Sequence, residues 1–185
     1  MHIPIIVSAP WVSFPEMDEK SGQYGSFSEP SADDGVDIFH LIAQCPPLDT
    51  NSAYCNFLQS THFRHTSLIA RYQGEISGFV SGYLKPEDPK TFFVWQVAVS
   101  PSHRTKGLAY QMLRSLLSRQ GMQGVEAIET TITEDNKASW ALFKKIDVQH
   151  GERGCISIFL DRETHFKGKH ETEYLYRIPL KAAIK

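Results

Sequence analysis

The hydrophobic period of the chain changes most plainly between Phe92 and Leu117. Phe92 to Val99 is a nearly unbroken apolar run of strand length. From Gly107 the apolar residues Leu108, Ala109, Met112, Leu113, Leu116 and Leu117 recur at helical spacing, with Tyr110, Gln111, Arg114, Ser115, Ser118 and Arg119 opposite. The pattern predicts a buried strand, a short polar turn and an amphipathic helix that starts near Lys106.

Elsewhere the same reading gives shorter elements. Residues 1–36, with Pro4, Pro10, Pro15 and Pro30 and no sustained period, are expected to form a largely flexible extension. Within it, Ile3 to Phe14 carries enough apolar residues to dock on the domain or on a neighbouring chain. Ile38, Leu41 and Ile42 predict a helix that stops at Pro46-Pro47, and a second follows, capped by Asp49 or Asn51, with Tyr54 and Leu58 inward. Thr66 to Tyr72, the turn Gln73-Gly74 and Glu75 to Leu84 read as an antiparallel hairpin. A loop from Lys85 to Thr91 leads into the central strand.

Beyond the amphipathic helix, Val125 to Thr133 is predicted as a strand parallel to Phe92–Val99, and Glu134 to Ile146 as a helix. Cys155 to Leu160 and Glu173 to Leu180 are predicted as closing strands. The resulting order, α, α, β, β, β, α, β, α, β, β, is a mixed α/β sheet over residues 37–185.

At 185 residues the chain suits one domain, since domains run from about 50 to 250 residues. A formal net charge of −2 and the lack of a long basic run disfavour nucleic acid as a partner. No apolar stretch approaches the ~20 residues that span a bilayer, and no secretory leader pattern opens the chain, so a cytoplasmic protein without a membrane partner is expected. Cys45, Cys55 and Cys155 are odd in number and have no metal-like spacing, so three thiols and no metal are expected.

The turn before the amphipathic helix is the first candidate for chemistry. A helix N-terminus presents free amides and partial positive charge, and Gly107, having no Cβ, lets a bulky anion approach the backbone. Arg104 and Lys106 add full charges there, so a phosphate is the natural guest.

Arg104-x-x-Gly107-x-Ala109 after Val97-Ala98-Val99 resembles the pyrophosphate motif of the GCN5-related N-acetyltransferases, the GNAT family. The resemblance implies that family's mixed twisted sheet, with splayed central parallel strands that admit acetyl-CoA. It places the pantetheine arm on Val97, Ala98 and Val99 and the diphosphate on Arg104, Thr105, Lys106, Gly107, Leu108 and Ala109. Asn136 and Ser139 match the family's second coenzyme motif. Where the family usually has a tyrosine that protonates the leaving thiolate, this chain has Phe143.

Segments outside these motifs narrow the resemblance. Residues 45–54, 61–63, 93–99, 129–143 and 170–180 look like the L-2,4-diaminobutyrate acetyltransferases, the acetylating enzymes of ectoine biosynthesis. That likeness implies L-2,4-diaminobutyrate as substrate, acetylated on its side-chain (N4) amine, and a homodimer. It places Asp49, Asn51, Tyr54, Trp95, Thr131, His170 and Glu173 near the amino acid. A diamine with a carboxylate needs anionic oxygens for its ammonium groups and a donor for its carboxylate. Glu129 and Glu173 are the candidate bases for freeing the attacking amine. Two other readings stay open: a GNAT enzyme for another amine, such as a polyamine or aminoglycoside, and a non-catalytic acyl-CoA-binding module.

Overall fold

The computed structural model describes residues 25–180, so the apolar segment Ile3 to Phe14 lies outside the described residues. Seven strands form one sheet: β1 (Ser26–Ser28), β2 (Leu68–Tyr72), β3 (Glu75–Lys85), β4 (Asp88–Val99), β5 (Ala127–Ile132), β6 (Cys155–Leu160) and β7 (Glu173–Pro179). Their order is β1-β2-β3-β4-β5-β7-β6, and β4–β5 is the parallel pair in it. Four α-helices complete the chain: α1 (Gly35–Ala43), α2 (Ala53–Thr61), α3 (Leu108–Leu117) and α4 (Lys137–Gln149).

Successive strand side chains point to opposite faces, and this parity builds two cores. On one face Leu68, Ala70, Val80, Phe92, Val94, Ile128 and Ile132 pack against Leu108, Met112, Leu113 and Leu116 of α3 and Trp140, Phe143 and Ile146 of α4. On the other, Ile69, Phe79 and Ala98 meet Ile38, Leu41 and Ile42 of α1. Gly78 marks a close approach of α3: a Cβ there would stand 2.7 Å from the Met112 sulfur.

The splay of the central strands has a visible cause. Against the adjacent pair Ser81 and Gly82 on β3, the partners on β4 are Gln96 and Val94, which leaves Trp95 as an extra residue, a β-bulge. Four residue pairs join β4 to β5, and the ladder ends at Val94–Thr130, where the bulge begins. Beyond it β5 continues beside β7 through Thr131 and Ile132, while Gln96 to Val99 stay with β3. A wedge therefore opens between the two strands.

Several boundaries differ from expectation. Regular structure is present before residue 37, because β1 adds an edge strand to β2 and α1 starts at Gly35. The expected loop from Lys85 to Thr91 shrinks to Pro86 and Glu87, since β4 starts at Asp88 and Pro89, near the strand start, gives up little ladder bonding. Helix α2 is capped by Ser52, whose hydroxyl accepts from Cys55 N at 3.2 Å, not by Asp49 or Asn51. Its inward face is Asn56, Gln59 and Ser60, while Tyr54 is 70% exposed. Tyr110, expected on the polar face of α3, is buried and donates its hydroxyl hydrogen to Gln149 Oε1 on α4.

Candidate active site

A cavity of about 760 Å³ opens where the strands diverge. Val97 and Val99 of β4, the Cys45–Leu48 turn, the segment before α3 and one stripe of α4 line it. Thr105 and Gly107 have positive φ, 63° and 81°, and turn the chain so that Gly107 becomes the N-cap of α3. The helix makes its first hydrogen bond from Gln111 N to Gly107 O at 3.1 Å, so the amides of Leu108, Ala109 and Tyr110 emerge at its mouth. Three clustered donors on a positive helix end form a ready anion cradle.

Arg104 is held from both sides, its Nε donating to Val99 O at 3.1 Å and its Nη2 to Gln44 O at 3.1 Å. It thus ties the end of β4 to the α1–α2 connection while lining the cavity. On α4, Asn136 Oδ1 accepts from Ser139 N at 3.1 Å; this cap occupies the oxygen and leaves the Nδ2 donors for a ligand. Of the residues expected at the coenzyme, Val97, Val99, Arg104, Thr105, Gly107, Leu108, Ala109, Asn136 and Ser139 line this one cavity. Ala98 does not, because strand parity buries it against α1, and Lys106 instead donates from Nζ to Ser102 O at 3.0 Å. The cavity fits the coenzyme in kind, with an apolar run for an alkyl amide arm and an amide cradle for a diphosphate.

The polar residues expected at the amino acid divide into two sets. His170 Nε2 lies 3.6 Å from Asp49 Oδ2, and its Nδ1 lies 2.9 Å from Glu171 O. That backbone contact, with the charges of Asp49 and Glu173, raises the imidazole pKa against the opposing effect of burial. Glu173 is half-buried, and desolvation pushes its carboxyl above the usual value although Thr131 and His170 pull it back. Asp49, Thr131, His170 and Glu173 thus form one electrostatic group. Trp95, 41% exposed, is the bulged residue at the start of the wedge. Asn51 and Tyr54 stand exposed and, among the described residues, make no hydrogen bond to that group.

Glu129 belongs elsewhere. Its carboxylate, 4% exposed, bridges Lys85 Nζ at 2.8 Å and Arg177 Nη1 at 2.6 Å, and Arg177 also donates to Thr91 Oγ1 at 2.9 Å. Two cations hold the charge that a base needs free, so Glu129 is a clamp joining β3, β5 and β7 at the paired end of the central strands. Breaking a buried ion pair costs about 3–5 kcal/mol. Lys85 and Arg177 are 33% and 39% exposed. Their access to water lowers the expected cost of Glu129→Gln to about 2 kcal/mol, a melting drop of about 4–8 °C by calorimetry. Turnover should persist, and a loss of about 100-fold in kcat would return Glu129 to catalysis.

Sequence reasoning missed the wall of the cavity made by Cys45, Pro46, Pro47 and Leu48, and its far end at Tyr110, Lys145, Val148 and Gln149. The second could have been found: Ala138, Ala141, Leu142, Lys145, Val148 and Gln149 continue the helical stripe that Asn136 and Ser139 begin. Gln96 was also missed; its Nε2 donates to Asp49 O at 2.7 Å and fixes the loop carrying that carboxylate. Phe143, 2% exposed, is a core residue.

Residues 36–147 match the Acetyltransferase (GNAT) family. The L-2,4-diaminobutyric acid acetyltransferase of Vibrio parahaemolyticus is 57% identical over 181 residues, 98% of this chain and 100% of that protein. The chain belongs to the GNAT acetyltransferases, and within them to the L-2,4-diaminobutyric acid acetyltransferase family. The member from Vibrio cholerae is 54% identical, covering 92% of this chain and 98% of its own length. Among solved structures, diaminobutyrate acetyltransferase EctA from Paenibacillus lautus, in complex with its substrate L-2,4-diaminobutyric acid and coenzyme A, superposes with a TM-score of 0.80 at 37% identity. That match covers 83% of this chain and 93% of the other. The Escherichia coli ribosomal-protein-S18-alanine N-acetyltransferase, 14% identical with a TM-score of 0.65, shares the fold over 85% of this chain and 95% of its own.

No helix among the described residues is long and apolar enough to cross a membrane. None of their His, Cys, Asp and Glu side chains cluster in a way that could hold a metal ion.

Proposed function

We propose that the enzyme transfers the acetyl group of acetyl-CoA to the side-chain amine of L-2,4-diaminobutyrate, the acetylation step of ectoine biosynthesis. The observation that carries this reading is the likeness to the Paenibacillus lautus enzyme bound to both diaminobutyric acid and coenzyme A. The local chemistry supports it. In the cavity the amides of Leu108 to Tyr110 take the diphosphate, and Asn136 Nδ2 and the strand edge at Val97 take the amide arm.

The group Asp49, His170, Glu173 and Thr131 suits a zwitterionic diamine. The imidazolium of His170 answers the substrate carboxylate, and Asp49 answers the α-ammonium. Glu173 accepts a proton from the side-chain ammonium, either directly or through water, and the freed amine attacks the thioester carbonyl. A β4 amide near Val97 stabilises the oxyanion. Transfer is direct, with no acyl-enzyme intermediate. Phe143 brings no exchangeable proton, so in this scheme the second proton, which the attacking nitrogen sheds as the amide forms, passes through water to the departing thiolate.

The test is the product itself. With acetyl-CoA and diaminobutyrate, one CoA should be released per acetylated product, and two-dimensional NMR should place the acetyl group on N4. Acetylation of the α-nitrogen, or preferred turnover of a polyamine or aminoglycoside, would overturn the reading. We further infer a homodimer, on the family resemblance and on the exposure of the large aromatic side chains Tyr54 and Trp95. Sedimentation velocity should give two copies per particle.

A further inference from the structure

Beyond the anion cradle the cavity continues into a part that acetyl transfer does not use. Its end is formed by Tyr110 on α3 and Lys145, Val148 and Gln149 on α4. The Tyr110 hydroxyl donates to Gln149 Oε1 and ties the two helices together across the groove. This bond fixes the phenol ring, and Lys145 Nζ lies 4.6 Å from the ring centroid. A cation–π contact of this kind orients the ammonium while leaving its N–H donors available to an anion.

The charge of Lys145 is also uncommitted. Its neighbour Lys144 is neutralised by Glu152 at 2.9 Å and Asp147 at 3.7 Å. Among the described residues, no carboxylate forms an ion pair with Lys145. An ammonium held at a cavity wall without an acidic partner calls for an anion from the ligand. The ligand already assigned there has one to spare: CoA carries, besides its diphosphate, a phosphate on the 3′ oxygen of its ribose. The diphosphate occupies the amides at the start of α3, and Tyr110, which closes that first turn, is the residue over which Lys145 sits. Val148, 48% exposed, adds an apolar surface one helical turn further on for the flat adenine.

We propose that Lys145 binds the 3′-phosphate of the coenzyme and makes the enzyme discriminate CoA from 3′-dephospho-CoA. The proposal rests on the reading of the cavity as the CoA site, and the test separates the two. The full-length chain is titrated with CoA and with 3′-dephospho-CoA by calorimetry, as wild type, Lys145→Met and Lys145→Arg. A charge-assisted hydrogen bond to a phosphate is worth about tenfold to a hundredfold in affinity. Wild type is therefore expected to bind CoA at least tenfold more tightly than the dephospho form, with the ratio shrinking as salt rises.

In Lys145→Met the ratio should fall to near one while the affinity for dephospho-CoA stays within about threefold of wild type. Lys145→Arg should keep most of the ratio. Equal weakening of both ligands by Lys145→Met would place the lysine on the diphosphate or in the scaffold and overturn the proposal. So would a wild type that binds the two alike. Wild type binding neither ligand would instead overturn the CoA reading of the cavity, and the proposal with it.

Discussion

Replacing Glu173 by glutamine should lower kcat by about 10²–10⁴-fold, the range that a positioned general base contributes. Affinity for acetyl-CoA should stay within twofold, because Glu173 does not line the coenzyme cavity. The amide keeps the size of the side chain and its contact with Thr131, so the fold and the mouth of the site are preserved. What it removes is a carboxylate that burial holds at a raised pKa. The pH dependence follows from that sign. In the wild type, kcat/KM falls as the pH drops through the raised pKa of Glu173, so its acidic limb stands above that of an ordinary glutamate. In Glu173→Gln the limb should vanish along with most of the rate. Equal losses in acetyl-CoA affinity and in turnover, or an unchanged acidic limb, would contradict the assignment of Glu173 as the base.

Placing a carboxylate at the N-cap of α3 should have a comparably large effect on the other substrate. Gly107→Glu is expected to weaken CoA binding by about 10³-fold or more, since it sets a negative charge where the proposed cradle offers two or more charge-assisted hydrogen bonds to the diphosphate. Gly107 sits at φ 81°. A side chain in that left-handed region costs about 1–2 kcal/mol, so a melting drop of about 2–8 °C is expected from the backbone alone. Gly107→Ala carries that cost and the crowding of a Cβ but no charge: it should show the same melting drop and lose far less affinity than Gly107→Glu, and the difference between the two reports the charge. Calorimetry with CoA and thermal denaturation of both variants separate charge from strain. CoA binding retained by Gly107→Glu would refute the cradle.

Much of this site is legible in the sequence alone. The apolar run Phe92–Val99, the basic turn and the heptad-like stripe of α3 are each a matter of spacing between near neighbours. Spacing of that kind fixes a strand, a turn and a helix wherever the chain lies. The cap at Asn136 is local in the same sense, and so is the absence of an acid at Phe143. These features carried the fold and the family.

What the sequence could not decide was the partner of each charge. Glu129 and Glu173 both sit on sheet strands, and as letters they are equivalent candidates for a base. Only the register of four strands shows that Glu129 meets Lys85, 44 residues away, and Arg177, 48 residues away, whereas Glu173 is left half-buried without a cation of that kind. The bulge at Trp95 has the same character. One extra residue on β4 reverses which side chains face α3 and α4, turns Ala98 away from the cavity and ends the β4–β5 ladder. Tyr110 shows it for a helix, because its burial depends on Gln149 arriving from α4. Local periodicity thus determined the elements and the anion cradle, since those need contacts only a few residues apart. Which carboxylate meets two cations and which is left half-buried was decided by tertiary packing, because the charges and apolar walls around a side chain are whatever distant parts of the chain the folded sheet brings within a few ångströms.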